Sequence, residues 1–223
     1  KKWLNMQFPD LDIGDNYQTI PFTYPSPLNE INVADKTRVI INKDADCIIT
    51  LAGNISEFSN IDHLFEIERQ AISKGKKIQI IVCGSGPKYE YYLRKSNSLG
   101  SSIIFTGLLD QPSLAYILSN SDYGFLGYDS KHLVKGVPNK IIEYTCYSLK
   151  IIINSAMEIC SIPKFNEVLI PYSLENLDEL ISEVFPKVGK LDKCKIKNFY
   201  KENFSEEIIL RKYTKLIKKT SAS

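Results

Sequence analysis

The sequence predicts an α/β domain built on a doubly wound parallel sheet, with further helices toward its carboxyl end. Its apolar residues form five short runs, at Cys47–Ala52, Ile78–Cys83, Ile103–Phe105, Tyr123–Leu126 and Ile151–Ile153. Such continuous runs are typical of strands that are buried on both faces. The chain between successive runs is long enough for a helix, and strands that alternate with helices form right-handed βαβ units around a parallel sheet.

The first of these units has the most regular pattern. The run Cys47–Ala52 ends at Gly53. Apolar residues then recur at helical spacing, at Ile61, Leu64, Phe65, Ala71 and Ile72. This order predicts a strand, a loop and a helix.

The two ends of the chain differ from this middle part. Four of the ten prolines lie in the first 45 residues, at Pro9, Pro21, Pro25 and Pro27, without a sustained apolar period. Segments of this kind are typical of extended arms and linkers. We therefore divide the chain into an arm or linker, residues 1–45, and an α/β domain, residues 46–223.

Beyond about Leu169 the pattern is helical, and residues 173–219 are expected to form the carboxyl-terminal helices of the domain. Ser173 is a candidate N-cap for a first helix that stops before Pro186. The last segment, Phe204 to Lys219, predicts a basic amphipathic helix. It would either pack on the sheet with its cations at the negative end of the helix dipole, or contact an anionic membrane surface.

Composition excludes several classes of protein. The 223 residues are 43% hydrophobic, and 28 Lys and Arg oppose 26 Asp and Glu, which leaves a net charge of +2. A protein that binds nucleic acid is expected to be far more basic. No apolar run approaches the length of about 18 residues that a membrane span needs, and Lys1-Lys2-Trp3-Leu4 lacks the apolar stretch of a signal peptide. We expect a soluble, cytoplasmic protein.

The cysteines give no sign of a metal or disulfide framework. Five cysteines are widely spaced along the chain, and there are two histidines. No C-x-x-C or Cys/His ligand cluster results, so we expect no bound metal. Cys47 and Cys83 lie in strand-like runs, where a reduced thiol packs as a small hydrophobe.

Ligands of an open parallel sheet bind beyond the carboxyl ends of its strands, which directs attention to the loops there. The loop from Gly53 to Ser59 could hold an anion on free amides, or Ser59 and Asp62 could form a capping box. The loop Gly84-Ser85-Gly86-Pro87 allows close backbone approach. Because it lacks a third glycine and a matching acid, it is a poor fingerprint for a nicotinamide cofactor. The third loop, Thr106 to Asp110, indicates a tight turn.

The fourth loop is the most informative. Residues 131–140 contain three lysines, one histidine and no acid, and they lead into a helix over Asn139–Tyr147. Backbone amides, the positive helix end and Lys135 or Lys140 could converge on phosphate oxygens. Glu143, one turn later, could accept hydrogen bonds from sugar hydroxyls. The alternative is a solvated Lys140/Glu143 pair worth a few tenths of a kcal/mol.

The order of these motifs resembles the donor-binding, carboxyl-terminal half of GT-B glycosyltransferases of the retaining, family 4-like group. The similarity runs from about Cys47 to Lys219. The motifs that carry it are Gly53-Asn54-Ile55, Gly84-Ser85-Gly86-Pro87, Phe105-Thr106-Gly107, the string Gly136-Val137-Pro138-Asn139-Lys140-Ile141-Ile142-Glu143-Tyr144, and the ending Phe204-Ser205-Glu206-Glu207 with Tyr213. The long string is the most specific, and it is similar to a variant found in bacterial surface-polysaccharide enzymes.

The resemblance assigns roles to these residues. Glu143 matches the glutamate that holds the ribose, and Lys135 falls where the family has the glutamate that touches the donor sugar; these two are the catalytic candidates. The family's basic pair falls at Asn54 and Ser59, so neutralisation of the diphosphate is assigned to Lys140 and Lys135. The full set of candidate donor-binding residues is Gly53, Asn54, Gly84, Gly86, Thr106, Gly107, Leu108, Lys135, Gly136, Val137, Pro138, Asn139, Lys140 and Glu143.

The resemblance also implies an activity. A sugar is transferred with retention from a UDP- or GDP-linked donor, which is a substrate, to a saccharide or lipid-linked acceptor in surface-polysaccharide synthesis, without metal or cofactor. The acceptor-binding, amino-terminal GT-B domain would be absent from these residues, and residues 1–45 would carry its tail and the linker. Peripheral contact with the inner face of the membrane is an associated expectation. The alternatives are a catalytically silent nucleotide-binding module and, less favoured, a nicotinamide oxidoreductase.

Overall fold

In a computed structural model, which describes residues 33–128, 137–187 and 191–220, the chain folds around one parallel sheet. The strands are β1 (Cys47–Ala52), β2 (Ile78–Cys83), β3 (Ile104–Gly107), β4 (Tyr123–Leu126), β5 (Lys150–Asn154) and β6 (Leu169–Tyr172). Their order is β3-β2-β1-β4-β5-β6, and every neighbouring pair is parallel. The predicted doubly wound α/β fold is therefore confirmed.

The helices lie on both faces of this sheet. They are α1 (Asp35–Arg38), α2 (Ile61–Ser73), α3 (Tyr89–Leu99), α4 (Gln111–Ser119), α5 (Asn139–Cys146), α6 (Leu177–Lys187), α7 (Lys193–Asn203) and α8 (Glu206–Thr220). Ile49 and Leu51 of β1 contribute to one apolar core with α2 and α6, while Ile48 and Ala52 contribute to a second core with α4, α5 and α7. Because side chains alternate along a strand, one apolar run supplies both cores.

The sixth strand contradicts the prediction that the pattern turns wholly helical beyond about Leu169. Residues Leu169–Tyr172 pair with β5, and Pro171 is exposed. Proline is tolerated on an edge strand because one row of its amides has no ladder partner. The first carboxyl-terminal helix also differs from expectation. A short 3-10 turn, Leu174–Asn176, follows Ser173, and α6 then runs to Lys187, beyond Pro186.

Part of the predicted arm contacts the domain. The hydroxyl of Thr37 lies 3.2 Å from that of Ser113 on α4. The side chain of Gln79 on β2 donates to Ile40 O at 2.7 Å and accepts from Asn42 N at 3.0 Å. Residues 33–45 therefore cover part of the sheet, while residues 1–32 lie outside the described residues. The boundary at residue 45 stays a prediction.

Helix α8 packs against α7. Its residue Ile209 is buried, whereas Leu210, Tyr213 and Ile217 are exposed. The amphipathic pattern is therefore only partly used for packing within the described part of the chain. Among the described helices, none combines the length with the apolar composition that a membrane span requires.

Candidate donor site at the switch point of the sheet

The strand order reverses between β1 and β4. These strands share only the ladder pairs Ile49↔Tyr123 and Thr50↔Gly124 in the described register. The helix that follows β1 contributes to one core and the helix that follows β4 contributes to the other. A crevice therefore opens beyond the carboxyl ends of the strands, where open α/β sheets bind ligands.

The two glycine loops interlock on one side of this crevice. Gly84 has φ +133°, and a Cβ on it would lie 1.9 Å from Gly53 O. A Cβ on Gly86 would lie 2.4 Å from both Asn54 Oδ1 and Ile55 O. Backbone bonds join the loops, from Gly53 N to Cys83 O at 2.9 Å and from Ile55 N to Ser85 O at 3.0 Å. Glycine is required because the backbones touch.

Helix α5 forms the other side of the crevice and carries the charges. Lys140 forms an ion pair with Glu143, one turn along the helix. The Lys140 side chain also extends over Gly53, where an added Cβ would lie 3.2 Å from Lys140 Cε. The side chain of Glu143 is 5% exposed and that of Lys140 is 27% exposed. The i, i+3 pair therefore forms, with Lys140 at the crevice and the Glu143 carboxylate buried rather than solvated.

A cleft of about 300 Å³ lies between these elements. It is lined by Gly53, Asn54, Cys83, Gly84, Ser85, Leu108, Leu109, Leu114 and Lys140. Lys140 is the one charged residue in this lining, and the three leucines form an apolar end. A volume of this order suits a small ligand, and the combination of an apolar wall and one cation suits a ligand with an apolar or aromatic part and an anionic part.

The structure brings five of the candidate donor-binding residues directly to the cleft wall, namely Gly53, Asn54, Gly84, Leu108 and Lys140. Other candidates support the wall from outside the lining. Gly107 O accepts from Gly84 N at 2.8 Å, and the Thr106 hydroxyl donates to Gly107 O at 3.0 Å. Gly86 packs beneath Asn54.

The remaining candidates lie on or before α5. Glu143 does not line the cleft. Its carboxylate forms an ion pair with Lys140, which does line the cleft. Val137 is half-buried against the core, Pro138 precedes α5, and Asn139 is its exposed first residue. Lys135 and Gly136, like the rest of the lysine-rich segment before them, lie outside the described residues.

The first loop is capped differently from the prediction. A capping box does form, but between Ser56 and Ser59 rather than between Ser59 and Asp62. The Ser59 hydroxyl accepts from Ser56 N at 3.0 Å and donates to Asn54 O at 2.9 Å. Asp62 instead forms an ion pair with Lys95. Ser59 therefore stabilises the loop that carries Asn54.

Several lining residues were not among the candidates from sequence. Ser85 lies within the predicted loop Gly84-Ser85-Gly86-Pro87. Leu109 and Leu114 are apolar, and nothing in the sequence distinguishes them from core residues. Cys83 was interpreted as structural, and it also lines the cleft. Burial raises the pKa of its thiol to about 12, which keeps it protonated and disfavours a nucleophilic role. Within the described residues, no cluster of three His, Cys, Asp or Glu side chains could hold a metal ion.

The fold is similar to that of several solved structures. The pneumococcal O-GlcNAc transferase GtfA, in complex with UDP and GlcNAc, gives a TM-score of 0.65 at 15% identity, over 97% of this chain and 43% of that one. A mutant of TarM from S. aureus, in complex with Fondaparinux, alpha-GlcNAc-glycerol and UDP, gives 0.64 at 14% identity, over 97% and 42%. The lipopolysaccharide outer core galactosyltransferase WaaB, in its apo form, gives 0.61 at 14% identity, over 91% and 56%.

At these identities the likeness establishes the fold alone. The chain spans from 42% to 56% of the length of these three structures. No protein-family model and no curated protein matches the sequence.

Proposed function

We propose that the chain is the donor-binding part of a retaining, family 4-like GT-B glycosyltransferase. The observation that carries the proposal is the cleft at the switch point, where two glycine loops face Lys140 across a space lined by leucines. GtfA and TarM, which share the fold, are described in complexes that contain UDP. The donor is a UDP- or GDP-linked sugar that is consumed as a substrate, without a further cofactor.

The diphosphate of the donor binds between Gly53 and the first turn of α5. Amides at a helix start have no i−4 acceptor within the helix and can bind an anion. Ile141 N already donates to Pro138 O at 2.9 Å, so the amides of Asn139 and Lys140 are the proposed phosphate donors. Lys140 supplies the positive charge, since Asn54 and Ser59 stand where the family has basic residues. To do so, its ammonium turns from the Glu143 carboxylate toward the phosphate oxygens. Lys135 is a second proposed cation and catalytic candidate.

Catalysis by this site is positional and electrostatic. The oxygen of an acceptor hydroxyl bonds to the anomeric carbon as the bond from that carbon to the diphosphate oxygen breaks, and the hydroxyl proton goes to the departing diphosphate. Fixed amides and Lys140 stabilise the negative charge that develops on that diphosphate, without a divalent metal. The acceptor, a saccharide or a lipid-linked saccharide, binds to a separate amino-terminal domain at the inner face of the membrane. The pathway is surface-polysaccharide synthesis in the cytoplasm.

Nucleotide titration tests the proposal. We expect UDP or GDP to bind and to stabilise the chain against thermal unfolding, because a ligand that binds the native state alone raises its stability. A full-length protein that includes this chain is expected to transfer sugar from the matching donor. If a nucleotide binds but no transfer occurs with any donor and acceptor, the silent nucleotide-binding module is the correct alternative, which the absence of a cation at Asn54 and Ser59 favours.

Replacing Glu143 with glutamine should weaken the binding of uridine, and should weaken the binding of UDP less, because the variant also removes the carboxylate from which the Lys140 ammonium must turn. Glu143 is proposed to accept hydrogen bonds from the ribose hydroxyls, and loss of a charge-assisted bond costs about 1–3 kcal/mol, or roughly 5- to 150-fold in Kd. Glutamine preserves the volume of this buried side chain. Calorimetric titration of both ligands measures the effect.

Glu68→Gln is the matched control. Glu68 is also buried, and its carboxylate accepts from Ser101 and Ser102, between α2 and the start of β3 rather than in the cleft. This variant should bind both ligands as the original chain does. Unchanged uridine affinity in Glu143→Gln would remove Glu143 from the ribose site.

A further inference from the structure

Beyond the point where the backbone hydrogen bonds between β1 and β4 end, a tyrosine hydroxyl connects the two strands. Tyr144 Oη accepts from Ala52 N at 2.9 Å and donates to Phe125 O at 3.3 Å. Gly53 N donates to Cys83 O on the β2 side, so the preceding amide, that of Ala52, faces the β4 side. The hydroxyl thus bonds to one backbone group from each strand: β1, which ends at the cleft residue Gly53, and β4, which ends at the small neighbouring cavity.

The surroundings of Tyr144 accommodate its ring closely. The side chain is fully buried, and a Cβ on Gly124 of β4 would lie 2.4 Å from a ring atom. Burial raises the pKa of the hydroxyl, so it remains protonated and able to donate. On α5, Tyr144 follows Glu143 directly and lies one turn after Lys140, on the same face of the helix.

We infer that Tyr144 is a positioning residue that holds the ends of β1 and β4 apart and thereby sets the shape of the donor cleft. This inference rests on the proposed function. A narrow cavity of about 20 Å³, lined by residues of both strand ends together with Lys140 and Tyr144, marks the separation. The ring also fixes α5, and hence Lys140, relative to Gly53.

Removal of the hydroxyl has a definite consequence. The amide of Ala52 and the carbonyl of Phe125 are then left without the partner that joins them, which is costly for buried groups. The strand ends can recover the bond by moving toward each other, and this movement displaces Gly53 at the end of β1 relative to Lys140, the two residues proposed to hold the diphosphate. A diphosphate should lose affinity, whereas a nucleoside held at the leucine end should lose little.

The test compares Tyr144→Phe with Tyr123→Phe. Tyr123 is also a fully buried tyrosine, and its hydroxyl donates to Val184 O at 3.1 Å, at the opposite end of β4. Both variants lose a buried hydroxyl, so both should lower the melting temperature, and Tyr144→Phe should lower it more because two backbone groups rather than one lose their partner. We expect the Kd for UDP to rise about tenfold in Tyr144→Phe and to stay within about twofold in Tyr123→Phe. Uridine binding should change little in either variant.

Each other outcome is informative. If the original chain binds neither UDP nor GDP, the proposed function fails and the inference fails with it. If the original chain binds and Tyr144→Phe binds equally well, the inference alone is overturned. Equal loss of UDP affinity in both variants would indicate general destabilisation and would also overturn the inference. Measurements are made in sucrose, which favours the folded state, and a Tyr144→Phe chain that remains unfolded there also overturns the inference.

Discussion

Replacing Lys140 with methionine should weaken UDP binding by about 10- to 150-fold and leave uridine binding within about twofold. A hydrogen bond to a charged group contributes about 1.5–3 kcal/mol, which corresponds to this range. The effect is expected to be large because Lys140 is the one charged residue among the described residues that line the cleft. Methionine retains most of the apolar stem that crosses Gly53. Titration calorimetry with UDP and uridine measures the difference.

Lys140→Met also removes the ion-pair partner of the buried Glu143. Its effect on the stability of the chain must therefore be separated from its effect on UDP affinity. The double variant Lys140→Met, Glu143→Gln lacks the buried charge and should regain stability without regaining UDP affinity. Lys95→Met is the matched control, because Lys95 also forms an ion pair, with Asp62 at 2.6 Å, outside the cleft. Equal losses for UDP and uridine in Lys140→Met would show that Lys140 does not contact phosphate.

The expected dependence of UDP binding on Lys140 alone follows from the structure of the first loop, Gly53 to Ser59. Ser59 uses its hydroxyl to connect Ser56 N to Asn54 O, and Asn54 Oδ1 lies against Gly86. Both positions are therefore occupied by short polar side chains; that of Ser59 bonds within the loop, and that of Asn54 lies against the second glycine loop. The described residues that line the cleft are neutral apart from Lys140, in contrast to the basic pair that the resemblance implies for the family.

The fold could be predicted because its signal is local. Runs such as Ile78–Cys83 are apolar over their whole length, and this property specifies a strand buried on both faces without reference to any partner. Strand β6 was not predicted, because it lacks such a local signal. Leu169–Tyr172 has four residues, one of them an exposed proline, and its strand character comes from pairing with β5, which is a tertiary property.

The site was only partly predictable. Glycines at 53, 84 and 86 have a backbone reason that is visible in sequence, whereas Leu114 reaches the cleft only because the fold brings α4 there. Tyr144 is similar: its place in the motif is apparent from the sequence, but the bonds from its hydroxyl to β1 and β4 depend on the divergence of two strands more than 70 residues apart. Such roles arise from three-dimensional contacts, and a one-dimensional pattern does not contain them.

Replacing Gly84 with alanine should destabilise the chain and weaken nucleotide binding. The added Cβ would lie 1.9 Å from Gly53 O, a backbone atom that cannot rotate away. Overpacking costs about 1–3 kcal/mol, and a φ of +133° adds strain for any residue with a Cβ. We expect a loss of about 3 kcal/mol or more in the free energy of unfolding, which lowers the melting temperature by about 6–12 °C for a chain of this length.

Gly100→Ala separates the steric effect from the conformational one. Gly100 ends α3 with φ +62°, and an added Cβ meets nothing within 4 Å. The left-handed conformation alone should cost about 1 kcal/mol and leave UDP affinity unchanged. In Gly84→Ala, by contrast, the loops must separate to relieve the contact with Gly53, which displaces the backbone that faces Lys140. UDP affinity should therefore fall by more than about tenfold even at temperatures where this variant is folded. A folded Gly84→Ala chain with undiminished UDP affinity would place the nucleotide elsewhere than in this cleft.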